Sequence, residues 1–133
     1  MNRRSVIEVT NLPVRAQTLL EAIIHTLDDK KAVNPVVINL HGKSDIADYM
    51  IVASGTSTTH VGTLAKHIEA AFKDADIQVL SVEGLGNNQW VLVDTASIIV
   101  HIFHPDTREI YKIEQMWDEE FPNADAEEVI ILH

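Results

Sequence analysis

The run Tyr49-Met50-Ile51-Val52-Ala53 constrains this chain more than any other feature. Five successive apolar residues closing on Ser54-Gly55 suit a strand covered on both faces, and such a strand needs partner strands beside it and other elements above and below. The flanking patterns supply them. Ala16, Leu19, Leu20, Ile23, Ile24 and Leu27 recur at spacings of three and four after Asn11 and Pro13, which predicts a helix over 13–30. Asn34-Pro35 ends it, and Val36-Val37-Ile38-Asn39-Leu40 reads as an internal strand. The hydroxyls of Thr56, Ser57, Thr58 and Thr59 suit the cap of a second helix over 58–74, with Val61, Leu64, Ala65, Ile68, Ala71 and Phe72 on its apolar stripe. Strands are predicted over 77–83, 90–94 and 98–103, the last two as a hairpin through Thr95-Ala96. Pro105-Asp106-Thr107 opens a final helix with Ile110, Ile113 and Trp117 on one stripe. The expected fold is α/β in the α+β sense, a mixed sheet of about five strands flanked by helices.

Composition narrows the function classes. A chain of 133 residues that is 46% hydrophobic can fold as one domain without staples. It contains no cysteine, which removes disulfides, thiolate metal sites and thiol nucleophiles and suits a reducing, cytoplasmic setting. No apolar run reaches membrane-spanning length, and Glu8 interrupts any signal-like stretch after Arg3-Arg4. The net charge of −10 is uneven: residues 114–133 carry seven acids and no base. Such a chain is poorly suited to tracking phosphates, so little direct nucleic-acid binding is expected and a basic protein partner fits better. Simple solubility would account for the same surface.

The residues that could carry chemistry do not form a site. His60 and His67 stand two helical turns apart, which places them at the surface with no metal between them, and His101 and His104 are offset by three on a strand. Gly55-Thr56-Ser57 at a strand-to-helix junction lacks the lysine and glycines of a phosphate loop. Asp94 has Ala96 where a paired metal-binding carboxylate would stand, and Ser54 and Ser57 serve more simply as cap and turn residues than as nucleophiles. No catalytic residue, metal or cofactor is assigned. Trp90, Trp117, Tyr111 and Arg108 are of the types enriched at interface hot spots, although either tryptophan would serve equally as core.

The ordered motifs Lys31-Ala32, Ala47-Asp48-Tyr49-Met50-Ile51-Val52-Ala53-Ser54-Gly55-Thr56-Ser57, His60-Val61, Glu83-Gly84, Trp90-Val91-Leu92-Val93-Asp94, Val100-His101-Ile102-Phe103 and Arg108-Glu109-Ile110-Tyr111, with Glu114 and Trp117, resemble the ribosome silencing factors, or Iojap-like family. The resemblance runs from about Leu19 to Trp117. It departs at Thr59, where the family usually has a base, at Thr95-Ala96, where it has an aromatic and a glycine, and at Met116 in place of leucine. It implies a nucleotidyltransferase-like fold without the transferase carboxylates. It also implies a homodimer that binds ribosomal protein fourteen of the large ribosomal subunit, blocks small-subunit joining and represses translation when nutrients are short. By that resemblance Trp90, Leu92 and Asp94 are expected at the ribosome contact. His101, Arg108 and Tyr111 match motif positions too, and dimer packing or internal support would account for them equally. A ribosome-assembly adaptor, or less readily a nucleotidyltransferase-like enzyme, are the alternative functions.

On this reading residues 1–12 form an extension, 13–121 the family domain and 122–133 an acidic tail. Ribosomal RNA would repel that tail, so it is expected to point away from the contact, and its deletion to leave ribosome binding largely intact.

Overall fold

The computed structural model describes residues 5–42, 45–113 and 127–130. Among the described residues seven strands form one mixed sheet: β1 (Ser5–Glu8), β2 (Val33–Asn39), β3 (Tyr49–Ser54), β4 (Val79–Glu83), β5 (Trp90–Thr95), β6 (Ile98–Phe103) and β7 (Glu127–Ile130). Their order across the sheet is β1-β7-β2-β3-β6-β5-β4. β3 runs parallel to β6 and β1 parallel to β7, while the remaining neighbours are antiparallel. A short 3-10 turn (Val9–Asn11) leads into α1 (Val14–Asp29), α2 (Thr58–Asp74) follows β3, and α3 (Pro105–Tyr111) follows β6.

The apolar run at residues 49–53 is the centre of this arrangement. Every residue of β3 is buried, and Ile51, Val52 and Ala53 are wholly inaccessible. Its two faces meet different layers. Tyr49, Ile51 and Ala53 join Leu20, Ile23, Leu27, Val61, Leu64, Ile68 and Phe72 of α1 and α2 in the larger core. Met50 and Val52 join Ile38, Leu40 and Phe103 in a smaller core on the opposite face, against which Val36, Trp90 and Ile113 pack. Both long helices therefore cover one face.

Two strands lie where none was predicted. Residues 1–12 and 122–133, expected to flank the domain, supply β1 and β7, so the sheet has seven strands rather than about five. β7 inserts between β1 and β2, and Val129 is 5% exposed within the larger core. Deleting residues 122–133 would thus remove an internal strand. The four-residue apolar end of an otherwise acidic segment is too short to read as a strand, and its partners in β1 and β2 lie far away in sequence, with Ser5 opposite Glu127 and Val37 opposite Val129.

Other boundaries moved for local reasons. β2 starts at Val33 rather than Val36, because Asn34 takes a left-handed φ of +48° and the pairing with β3 slips around Pro35. β4 starts at Val79 rather than Ile77, because the Ile77 amide donates to the Phe72 carbonyl and closes the end of α2, with Asp76 at φ +58°. The β5–β6 hairpin forms as expected. Ala96 avoids positive φ because the buried Thr95 hydroxyl closes the turn, donating to the Ile98 carbonyl at 2.8 Å and accepting from its amide at 3.0 Å.

The hydroxyl cluster does cap α2: Ser57 Oγ accepts from the His60 amide at 3.1 Å. His60 itself, expected simply at the surface, is half-buried and bridges the two long helices. Its Nδ1 accepts from the Thr56 amide at 2.8 Å, which leaves the ring proton on Nε2 to donate to the Lys30 carbonyl, also at 2.8 Å. Lys30 is the C-terminal cap residue of α1, so the imidazole satisfies groups at one end of each helix.

Two predictions follow from the packing. His60→Ala should lower unfolding free energy by about 1–3 kcal/mol, read as a lower denaturant midpoint at unchanged slope; an unchanged midpoint would show that the bridge contributes nothing. Tyr49 is buried, and burial together with the neighbouring Asp48 carboxylate raises its hydroxyl pKa above the ordinary 10.0. The folded state therefore holds this proton more tightly than the unfolded chain, and the resulting stability is present below pH 10 and lost as pH rises through the folded value. Tyr49→Phe should flatten the alkaline loss of stability in denaturation series taken above pH 10, and an equally steep loss in the variant would contradict it.

Candidate functional site

Strand periodicity places Trp90, Leu92 and Asp94 on one face of β5, the face turned away from α1 and α2. Val91 and Val93, between them, are inaccessible in the larger core. The register brings β6 residues opposite: Trp90 faces Phe103, Leu92 faces His101 and Asp94 faces Ile99. On the other side Glu83 and Ser81 of the edge strand stand opposite Leu92 and Asp94. Trp90, Leu92, Asp94 and Ile99 are half-buried, and Glu83 is exposed. The face therefore presents an aromatic and aliphatic centre with two carboxylates at its rim.

Trp90 is the hub of an aromatic cluster. Its ring stacks on Phe103 with centroids 4.8 Å apart and a 30° interplanar angle, and meets Tyr111 of α3 at 4.9 Å and 47°. His101 lies 5.8 Å from the indole and 6.1 Å from Phe103. The Trp90 indole N–H donates to His101 Nδ1 at 3.0 Å. Aromatic pairs at such separations contribute about 0.5–1.5 kcal/mol each beyond area burial. One part of the Trp90 ring packs on the smaller core and the rest reaches solvent.

Phe103 is the member that sequence reasoning left out of the site. Wholly buried, it forms the floor under Trp90. The hairpin register, counted outward from Thr95 opposite Ile98, was the signal that could have found it. Gly84 was quoted as part of a motif without a role. It takes φ +90° beneath β5, where a Cβ would collide with the Trp90 carbonyl, so only glycine fits the approach of this loop to the strand.

The remaining assigned residues divide. Tyr111 is 51% exposed and continues the platform beyond Trp90. His101 is 6% exposed and supports it from below. Arg108 points elsewhere: one guanidinium nitrogen donates to the Val33 carbonyl at 3.2 Å and to Ser54 Oγ at 3.1 Å, tying α3 to the ends of β2 and β3. That contact occupies Ser54. β6 ends at Phe103, so His104 is not on the strand; its Nδ1 accepts from the Asp106 amide and caps α3. Gln89 fastens the same helix, its carbonyl accepting from the His104 amide at 2.9 Å and its side chain from the Thr107 hydroxyl at 3.0 Å. Trp117 lies outside the described residues.

Among the described residues no three His, Asp or Glu side chains gather to hold a metal ion, and no helix is long and apolar enough to cross a membrane. What the face offers chemically is contact: a fixed indole, aliphatic neighbours and acidic rim groups on a rigid hairpin.

Comparison with known proteins agrees with the motif resemblance and extends it. The family model described as "Ribosomal silencing factor during starvation" matches residues 13–131, reaching past residue 121 to include β7. The chain is 42% identical over 101 residues to Ribosomal silencing factor RsfS of Zymomonas mobilis, covering 76% of each. It is 27% identical to Mitochondrial assembly of ribosomal large subunit protein 1 of Mus musculus, over 74% of this chain and 44% of that protein. A crystal structure from Chromobacterium violaceum superposes with a TM-score of 0.73 at 31% identity, covering 76% of this chain and 84% of that one. The chain belongs to the ribosomal silencing factor family.

Proposed function

We propose that this protein represses translation by binding the large ribosomal subunit and standing where the small subunit would dock. Its contact is ribosomal protein fourteen, reached through the face built on Trp90, Leu92 and Asp94 with Tyr111 beside them. Small-subunit joining is prevented by bulk, without catalysis, and the protein acts in the cytoplasm as a homodimer when nutrients are limiting. Family membership supports the class of function. The observation that carries the site is the half-exposed Trp90, held by three ring neighbours on a face flanked by Asp94 and Glu83.

The charge pattern supports a protein contact. Asp94 and Glu83 complement lysine and arginine, which abound on ribosomal proteins, and the net charge of −10 disfavours a footprint made mainly of RNA. Arg108, engaged with Val33 and Ser54, acts on this reading as internal support by holding α3, and through it Tyr111, in place.

Purified large and small subunits, mixed with and without the protein and separated on a sucrose gradient, test this directly. Co-sedimentation with the large subunit and accumulation of free small subunits are expected. Co-sedimentation with intact ribosomes still forming would favour an assembly role, the function in the name of the mouse relative. Trp90→Ala should weaken large-subunit binding by about 2 kcal/mol, roughly thirtyfold in Kd. Thermal melts run alongside decide its meaning: if binding falls only with loss of the folded state, Trp90 belongs to the core and the assigned contact is wrong.

A further inference from the structure

His101 is an expensive residue where it stands. It is 6% exposed in the middle of β6, opposite Leu92 on one side and the wholly buried Val52 on the other. An aliphatic side chain would fill that position without the cost of desolvating an imidazole. What an aliphatic residue lacks is a lone pair. The indole nitrogen of Trp90 is a donor only, so the 3.0 Å contact with His101 Nδ1 requires Nδ1 to be unprotonated and to accept.

We infer that His101 is the positioning residue of the partner-binding face: by accepting the Trp90 N–H it selects the presented orientation of the indole and turns the ring's carbon surface toward the partner. Stacking on Phe103 and Tyr111 restricts the ring plane, and the hydrogen bond decides between orientations that stacking alone leaves similar. One consequence concerns the partner's chemistry. With the N–H directed inward, the accessible part of Trp90 is carbon, and on a face that also carries Asp94 and Glu83 that surface fits the aliphatic stem and charged head of a lysine or arginine rather than a hydrogen-bond acceptor. The inference rests on the proposed contact through Trp90 and goes beyond it in assigning how that contact is held.

The test is a double-mutant cycle on large-subunit binding, with melting temperatures measured for every variant. His101→Phe keeps a ring and removes the acceptor, His101→Asn keeps an acceptor near the position of Nδ1, and Trp90→Phe keeps an aromatic ring without the N–H. His101→Phe should weaken binding about tenfold while remaining folded, and His101→Asn should stay within about threefold of the parent. In a Trp90→Phe background, His101→Phe should cost less than about twofold further, because the interaction it removes is already gone. Equal losses for the Asn and Phe variants, or the same tenfold loss in both backgrounds, would overturn the inference.

A measurement on the unaltered protein guards against a variant that fails to fold. The indole N–H proton of Trp90, assigned by its absence from the Trp90→Phe spectrum, should exchange with solvent at least about tenfold more slowly than a free indole. Exchange at the free rate would overturn the inference. The two levels fail distinguishably: if Trp90→Ala leaves binding intact, the contact itself is wrong and the positioning role falls with it. If Trp90→Ala abolishes binding while His101→Phe changes nothing, only the positioning role is rejected.

Discussion

Two-sided burial of β3 is the constraint on which the rest of the structure depends. A strand that is apolar from Tyr49 to Ala53 apart from the Tyr49 hydroxyl cannot face water on either side, so two layers must cover it. α1 and α2 supply one, through an apolar stripe on each helix. On the other face Met50 and Val52 pack beside Ile38, Leu40 and Phe103, and Val36, Trp90 and Ile113 pack against them. The proposed site is thus continuous with the second core. Its central residue is held by the packing that stabilises the sheet, which is why a single tryptophan can be both a structural member and a contact.

That continuity explains the division of labour among the motif residues. Phe103 and His101 are buried and act on Trp90 from below and beside; Leu92, Asp94 and Tyr111 extend the accessible surface around it. Gln89 and Arg108 both fasten α3 to the sheet, Gln89 through Thr107 and Arg108 through Val33 and Ser54. Gly84 lets the β4–β5 loop pass close under the Trp90 carbonyl. The short motifs between Glu83 and Tyr111 therefore describe one connected object, a hairpin face with its supports. Pre-organised aromatic anchors of this type lose little side-chain entropy when a partner docks.

Much of this was legible in the sequence, for identifiable reasons. α2 was found residue for residue because a hydroxyl cap and a six-member apolar stripe agree on the same boundaries. The β5–β6 hairpin was found because both strands are β-branched and separated by a two-residue turn. β1 and β7 were missed because each is four residues long and their pairing joins the ends of the chain, a non-local contact that no local pattern encodes. His60 looked like a surface residue because the acceptor of its ring N–H, the Lys30 carbonyl, caps another helix thirty positions away. In the candidate site, Trp90, Leu92 and Asp94 were expected from the family resemblance, whereas the contacts of His101 and Arg108 depended on which groups tertiary structure brought within hydrogen-bond reach.

The central claim is that the β5 face meets ribosomal protein fourteen, and site-directed photocrosslinking tests it most directly. A crosslinking side chain placed at half-buried Leu92 and, as a control, at exposed Thr63 on α2 would be irradiated in the presence of large subunits, and the captured protein identified by mass spectrometry. The account predicts capture of ribosomal protein fourteen from position 92 and not from position 63. Capture from position 63 alone, or of a different ribosomal protein from position 92, would contradict it.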